Sequence, residues 1–158
     1  MRDQRRETTD KRQEAEGEAG QRAEAGLDKS QRDAASNKGY GYRELVVWRK
    51  GIDLAKQIYE LTGEFPTEEK FGLVSQMRRA AVSVPSNIAE GQARHTTKEF
   101  IQFISHAEGS LAELDTQLVL GMELGYCSNA KWQHVAGLME EVRKMLNGLR
   151  RNLSAKVG

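Results

Sequence analysis

Two adjacent arginines, Arg78 and Arg79, are the residues best suited to bind an anion. A guanidinium group is planar and donates paired hydrogen bonds, so it can clamp a phosphate or a carboxylate. Neighbouring residues of a helix point about 100° apart, so at most one of the two faces the core side. The alternative is an ion pair between subunits or within the helix, for example with Glu113 or Glu90. We favour the ion pair.

Asn87 and Glu90 lie close after Pro85, about one helical turn apart. With a neighbour they could line a polar pocket near a kink at Pro85, as in a small enzyme or ligand-binding bundle. A proline inside a helix removes one backbone donor and clashes with the preceding turn, which predicts the kink. Polar side chains often bond the backbone groups that a kink frees. We therefore favour a structural role for Asn87 and Glu90, and we expect Gly91 to end the helix.

Further basic residues could contact RNA or another anionic partner. They lie in the turn before the third predicted helix and late on the fourth: Arg94, Lys98, Arg143, Lys144, Arg150 and Arg151. An oligomer would repeat each group and make it multivalent. The alternative is an ordinary solvated helix surface, which is the favoured interpretation.

The motifs of common catalytic and cofactor sites do not occur in the sequence. A di-iron bundle needs Glu-x-x-His, and none of His95, His106 and His134 has a Glu three positions earlier. Cys127 has no nearby Cys or His at zinc-binding spacing. A Gly-rich phosphate loop and a nucleophile elbow are absent as well. The sequence therefore predicts a protein that is not an enzyme and that binds no cofactor or metal.

The chain of 158 residues divides by composition at about residue 40. Residues 1–39 contain nine basic and nine acidic residues, and Leu27 is the only large apolar residue between Arg2 and Gly39. Such a segment cannot bury enough apolar surface to offset its ordering entropy. We expect residues 1–39 to be a disordered or weakly helical polar tail, and residues 40–158 to form one folded domain.

Net charge and cysteine content limit the partners and the compartment. The formal net charge is only +1, whereas nucleic-acid binders usually show a clear basic excess. No apolar run is long enough to span a bilayer, so we expect no membrane association. The single Cys127 is consistent with a reducing cytoplasm, where we expect the protein to reside.

Apolar residues recur at helical spacing in four segments, at about 42–62, 67–91, 97–124 and 128–153. We expect Thr67 and Ser128 to cap the second and fourth helices, Thr96 and Glu99 to form a capping box on the third, and Gly125 to close it. Short connections force consecutive helices to pack side by side. Heptad spacing favours the small crossing angles of a left-handed bundle. The sequence predicts an all-α, antiparallel, up-down-up-down four-helix bundle.

The predicted helices carry more apolar surface than one core requires. The first helix has one stripe expected in the core, consisting of Leu45, Trp48, Ile52, Ala55 and Tyr59, and a second set beside it, consisting of Val47, Leu54, Ile58 and Leu61. The second helix repeats apolar residues from Phe71 to Ile88, and the third places Phe103 and Leu120 off its main stripe. A wide apolar face favours self-association over a thick core in a monomer.

Several segments resemble the bacterial four-helix-bundle proteins encoded by intervening sequences in large-subunit ribosomal RNA genes. The resemblance covers about residues 42–153. It rests on residues 71–91, on Phe65, Pro66 and Glu69 before them, and on the segments 42–48, 98–101, 109–118 and 124–126, which read YRELVVW, KEFI, GSLAELDTQL and LGY. The combination is specific, whereas residues 1–39 have no counterpart in the resemblance.

The resemblance implies a left-handed antiparallel bundle that assembles as a homopentamer, with no established enzymatic activity. A distant relative by fold is the accessory protein of diversity-generating retroelements, a basic pentameric barrel that binds a reverse transcriptase and RNA. We therefore interpret the chain as a non-catalytic oligomeric scaffold or adaptor that binds a protein or RNA partner. The cations named above, beginning with Arg78 and Arg79, are its candidate contact residues.

Overall fold

The computed structural model describes residues 41–157, so the predicted tail at residues 1–39 lies outside the described part of the chain. Four long helices and two short 3₁₀ helices follow one another. The 3₁₀ helices are Gly41–Glu44 and Thr67–Glu69, and the long helices are α1 (Val46–Thr62), α2 (Leu73–Gln92), α3 (Thr97–Glu123) and α4 (Asn129–Ser154).

The four long helices form the predicted antiparallel bundle. Each helix packs on the next one along the chain, and α4 returns to α1. The heptad positions of α3 and α4 fill the centre: Ile104, Ala107, Leu111, Leu114, Leu118, Val135, Met139, Val142 and Leu146. All of these side chains are at most 2 % exposed, so the periodicity of α3 and α4 correctly predicts the core. The prediction of an all-α four-helix bundle is confirmed.

In α1 the two apolar sets exchange the roles that the sequence suggested. Leu54 and Ile58 are fully buried, whereas Trp48 is half-buried and Tyr59 is 47 % exposed. The expected core stripe of α1 is therefore wrong in most of its members. On the flank of α1 that faces α4, Lys50 forms an ion pair with Glu141 of α4 at 3.0 Å. Trp48 and Ile52 lie on the flank beside α2, where they line an open groove with Val82 and Pro85.

Helix α2 begins at Leu73, six residues later than predicted, and Thr67 does not cap it. Gly72 has φ −100° and ψ −117°, which lies outside the helical region and ends the 3₁₀ segment before α2 starts. The carboxylate of Glu69 then accepts a hydrogen bond from the Leu73 N–H at 3.0 Å and acts as the cap. Phe71 consequently lies in the turn, 88 % exposed, and not in the core.

The assignment of Gly91 as the end of α2 is also wrong. The helix continues to Gln92, and Gly91 is buried under the first turn of α3. A Cβ atom on Gly91 would lie 2.6 Å from Cβ of Phe103 and 2.7 Å from Cδ2 of Phe100. Gly91 therefore permits α2 and α3 to approach closely.

The start and the end of α3 follow their sequence signals. The Thr96 hydroxyl accepts from the Glu99 N–H, and the Glu99 carboxylate accepts from the Thr96 N–H, which completes the predicted capping box. Gly125 follows the helix with φ +74°, in the left-handed region that glycine adopts easily. Ser128 then caps α4 by accepting from the Lys131 N–H, as predicted.

Candidate interaction surfaces

The polar groups near Pro85 bond to one another and to the backbone of α2. Asn87 donates to the Ser83 carbonyl at 2.8 Å and to the Ser83 hydroxyl at 3.0 Å. Ser110 of α3 donates to the same Ser83 hydroxyl at 2.9 Å. On its other side the Pro85 ring packs against α1, where a Cβ on Gly51 would lie 3.3 Å from the proline Cβ. These contacts bind α2 to both of its neighbours.

Glu90 does not join Asn87 in a closed pocket. Its side chain is exposed, and it lies 3.9 Å from the Arg94 guanidinium one turn later. The space beside Pro85 is an open groove with mostly apolar walls from Trp48, Ile52 and other residues of α1 and α2. The geometry that the enzyme or ligand-pocket alternative requires, an enclosed polar site containing Glu90, is not present at this position.

Arg78 lies against the end of α1 and not against a carboxylate. Its Nε donates to the Thr62 hydroxyl at 2.9 Å, its Nη2 donates to the Tyr59 carbonyl at 3.4 Å, and its guanidinium carbon is 4.6 Å from the Tyr59 ring centroid. Within one copy the predicted ion pair of Arg78 with Glu113 or Glu90 is therefore absent, whereas a pair between subunits stays a prediction. Arg78 instead adds a donor to the Tyr59 carbonyl, which also accepts from the Gly63 N–H, and places positive charge at the C-terminal turn of α1.

The seam between α1 and α2 forms an open surface that we call the α1/α2 groove. It is lined by Trp48, Ile52, Tyr59, Phe71, Val82 and Pro85, with the cations Lys70, Arg78 and Arg79 at one end. Phe71, Tyr59 and Val82 are 88 %, 47 % and 43 % exposed. Within residues 41–157, no carboxylate forms an ion pair with any of these three cations.

A second surface, which we call the α3 stripe, has a polar half, Glu113 and Gln117, and an apolar half, Leu120 and Leu124. Their spacing of four, three and four residues places them on one face of α3. Leu120 and Leu124 are 48 % and 51 % exposed. Gln117 donates to the Glu113 carboxylate at 3.1 Å, so the polar half of the stripe is acidic.

The cations of α4 are mostly paired with carboxylates. Arg143 lies 2.6 Å from Glu140 and 3.2 Å from Asp115, and Arg150 lies 3.4 Å from Glu108. Arg143 and Arg150 therefore join α4 to α3. A 2.6 Å contact at a half-exposed site contributes little free energy, since water screens it.

The remaining predicted contact residues differ in their exposure and in the groups that they contact. Lys144 is 75 % exposed and 3.9 Å from Glu140. Arg94 stacks on the Phe103 ring, with its guanidinium carbon 4.5 Å from the ring centroid. Lys98 and Arg151 are exposed, and no carboxylate between residues 41 and 157 forms an ion pair with them. The eight predicted contacts thus lie on separate surfaces and do not form one basic patch.

The sequence did not single out several residues of these surfaces. Periodicity predicts Tyr59 in the main stripe of α1 and Phe71 in the apolar repeat of the second helix, and neither Lys70 nor Leu124 is among the predicted contacts. One local signal was available for Phe71, because it directly precedes Gly72, a common helix breaker.

The chain matches a known protein family over most of its folded part. The sequence model of the 23S rRNA-intervening sequence proteins matches residues 43–148. The chain belongs to this family. No protein with curated annotation matches the sequence at a significant level.

A solved structure shares the fold of the intervening sequence protein described here. It is a protein of unknown function from the S23 ribosomal protein family of Bacteroides thetaiotaomicron VPI-5482, with 23 % identity and a TM-score of 0.63. The match covers 67 % of this chain and 96 % of that chain. The likeness supports the bundle fold and does not assign a function.

Residues 41–157 contain neither a cluster of metal ligands nor a membrane-spanning helix. No group of three or more His, Cys, Asp or Glu side chains is placed to hold a metal ion there. In the same residues, every helix is too short or too polar to cross a bilayer.

Proposed function

We propose that this protein is a non-catalytic helical scaffold that self-associates, and that its assembly is the homopentamer implied by the family resemblance. The observation that carries the proposal is the exposed apolar surface in the α1/α2 groove and on the α3 stripe. Phe71, Leu120 and Leu124 expose between 48 % and 88 % of their surface. Contiguous exposed apolar groups rimmed by charges mark interaction surfaces in soluble proteins.

Light scattering after size-exclusion chromatography of the full chain tests this proposal. The expected mass is five times the 17.7 kDa of one chain. A mass of 17.7 kDa at all concentrations up to about 100 μM, where weak dimers already form, would overturn self-association.

The assembled scaffold has a second proposed property, which is RNA binding through the end of α4. Lys144, Asn147, Arg150 and Arg151 line one shallow depression on the outer surface of this helix. Each copy alone offers few charges, but a ring repeats them and binds through several sites at once. Phosphate contacts made in this way release counterions, so the affinity depends on salt.

Fluorescence anisotropy with a labelled single-stranded RNA tests the RNA proposal. The variant Lys144→Glu/Arg151→Glu should bind more weakly and show a flatter dependence of log K on log salt. Lys56→Glu, which reverses an exposed charge on α1, is the control and should keep the RNA affinity and the salt dependence of the wild type. Equal salt slopes for the α4 variant and the control would contradict the α4 site. An assembled protein without RNA affinity would contradict RNA binding and leave the scaffold proposal intact.

A further inference from the structure

We propose that the α1/α2 groove of one copy binds the α3 stripe of the next copy in a head-to-tail contact. This inference rests on the self-association proposed above and names the surfaces that carry it. The two surfaces belong to the same chain but differ in their shape and charge.

The apolar parts of the two surfaces are complementary in form. Tyr59, Phe71 and Val82 border an open depression between two helices. Leu120 and Leu124 stand four residues apart on one helix and project as a ridge. A helix that lays such a ridge into a hydrophobic groove is a recurrent mode of recognition.

The charges of the two surfaces are opposite. The groove contributes Lys70 and Arg79, which have no carboxylate partner among residues 41–157. The stripe contributes Glu113, and the exposed Glu123 lies directly beside Leu124. Pairing groove with stripe therefore places cations opposite carboxylates.

The alternative contact between two identical grooves is disfavoured by the same charges. A two-fold interface brings the same patch of both copies together, so it would bring two sets of Lys70, Arg78 and Arg79 into one contact. Like charges that meet at a partly desolvated contact repel each other and suppress that pairing. The distribution of charge thus favours two different surfaces in contact.

The positions of the two surfaces favour a closed assembly. The groove follows the seam between α1 and α2, and the stripe lies on the side of α3 next to α2, since Ser110, three residues before Glu113, bonds Ser83 of α2. The surfaces therefore occupy neighbouring sides of the bundle and not opposite ones. A contact between neighbouring sides rotates each copy relative to the one before it, and a head-to-tail series forms a ring when that rotation closes.

A mixing experiment with two full-length variants tests the contact. The groove variant is Phe71→Asp/Arg79→Glu, and the stripe variant is Leu120→Asp/Leu124→Asp; all four side chains are exposed, so both variants should fold. Circular dichroism checks that their helical signal equals that of the wild type. Each variant alone should have the mass of one chain by light scattering. An equimolar mixture should have twice 17.7 kDa, because one intact groove and one intact stripe make a single contact.

Each other outcome has a defined meaning. A stripe variant that stays assembled while the groove variant dissociates indicates groove-to-groove pairing and overturns the inference. Two variants that both keep the wild-type mass place the contact elsewhere, which also overturns the inference but leaves self-association standing. A wild-type protein that is itself monomeric overturns the proposed scaffold. Val46→Asp, at an apolar residue 54 % exposed outside both surfaces, is the control and should keep the wild-type mass.

Discussion

Replacing Gly91 with alanine should destabilise the bundle, although the same change stabilises most helices. Gly91 lies inside the last turn of α2, where α3 crosses closely over it. The new Cβ would stand 2.6 Å from Cβ of Phe103. That atom is bonded directly to the backbone of α3, so no side-chain rotation can move it away.

The loss of free energy of unfolding in Gly91→Ala follows from this contact. Carbon atoms in ordinary contact lie about 3.5–4.0 Å apart, so α2 and α3 must separate by about 1 Å at Gly91. Overpacking of this kind costs about 1–3 kcal/mol, and the rigid neighbour places Gly91→Ala at the upper end. Alanine gains about 1 kcal/mol over glycine inside a helix. We therefore expect the free energy of unfolding to fall by about 2 kcal/mol.

Gly109→Ala is the matched control, because Gly109 also lies inside a helix but a Cβ there would have nothing within 4 Å. It should raise the free energy of unfolding by about 1 kcal/mol. Urea unfolding followed by circular dichroism at one fixed protein concentration measures both variants, since assembly makes stability concentration-dependent. A Gly91→Ala protein as stable as Gly109→Ala would refute the close approach of α2 and α3.

Three further predictions concern single groups. Thr62→Val removes the acceptor for Arg78 Nε and should lower the free energy of unfolding by about 1 kcal/mol in urea titrations; an unchanged midpoint would contradict this hydrogen bond. The hydrogen bond from Thr96 lowers the pKa of Glu99 below its ordinary 4.5, so its stabilisation is present above pH 4.5 and is lost as the pH falls through the lowered pKa. Glu99→Gln should flatten that acid loss of stability, and an identical pH profile would refute the role of Glu99. Burial raises the pKa of the Cys127 thiol, so iodoacetamide at pH 8 should modify it more slowly in the folded protein than in urea, whereas equal rates would contradict that burial.

The elements that sequence predicted best depend on residues close together in the chain. The capping box of α3 requires only Thr96 and Glu99, three residues apart, and it forms as expected. The heptads of α3 and α4 each form one long main stripe, which identified the side that faces the core even though Phe103 and Leu120 of α3 lie off that stripe. The family resemblance rested on such local segments and was correct.

The errors arose where the outcome depends on tertiary packing. Helix α1 has two adjacent apolar sets, and periodicity alone does not rank Leu54 above Trp48. The partner of Arg78 depends on how α2 rotates against α1, so neither Glu113 nor Glu90 could be excluded from spacing. The late start of α2 depends on the backbone conformation of Gly72, and helix propensity is only a weak guide to that conformation.

These errors are connected to the proposed function. Tyr59 and Phe71, which periodicity places on the apolar stripes of the predicted helices, are residues that the fold leaves at its surface. An apolar side chain that helical periodicity places inside and packing places outside is a candidate interface residue. The disagreement between pattern and structure therefore points to the α1/α2 groove.

Chemical cross-linking between copies tests the central claim most directly. In a Cys127→Ser background, the chain with both Phe71→Cys and Leu120→Cys is treated with a short bis-maleimide and separated on a denaturing gel. A head-to-tail contact between groove and stripe predicts covalent multimers for this chain and only the monomer band for Phe71→Cys or Leu120→Cys alone. Covalent dimers from Phe71→Cys alone, or only monomer from the doubly substituted chain, would contradict a head-to-tail contact between the groove and the stripe.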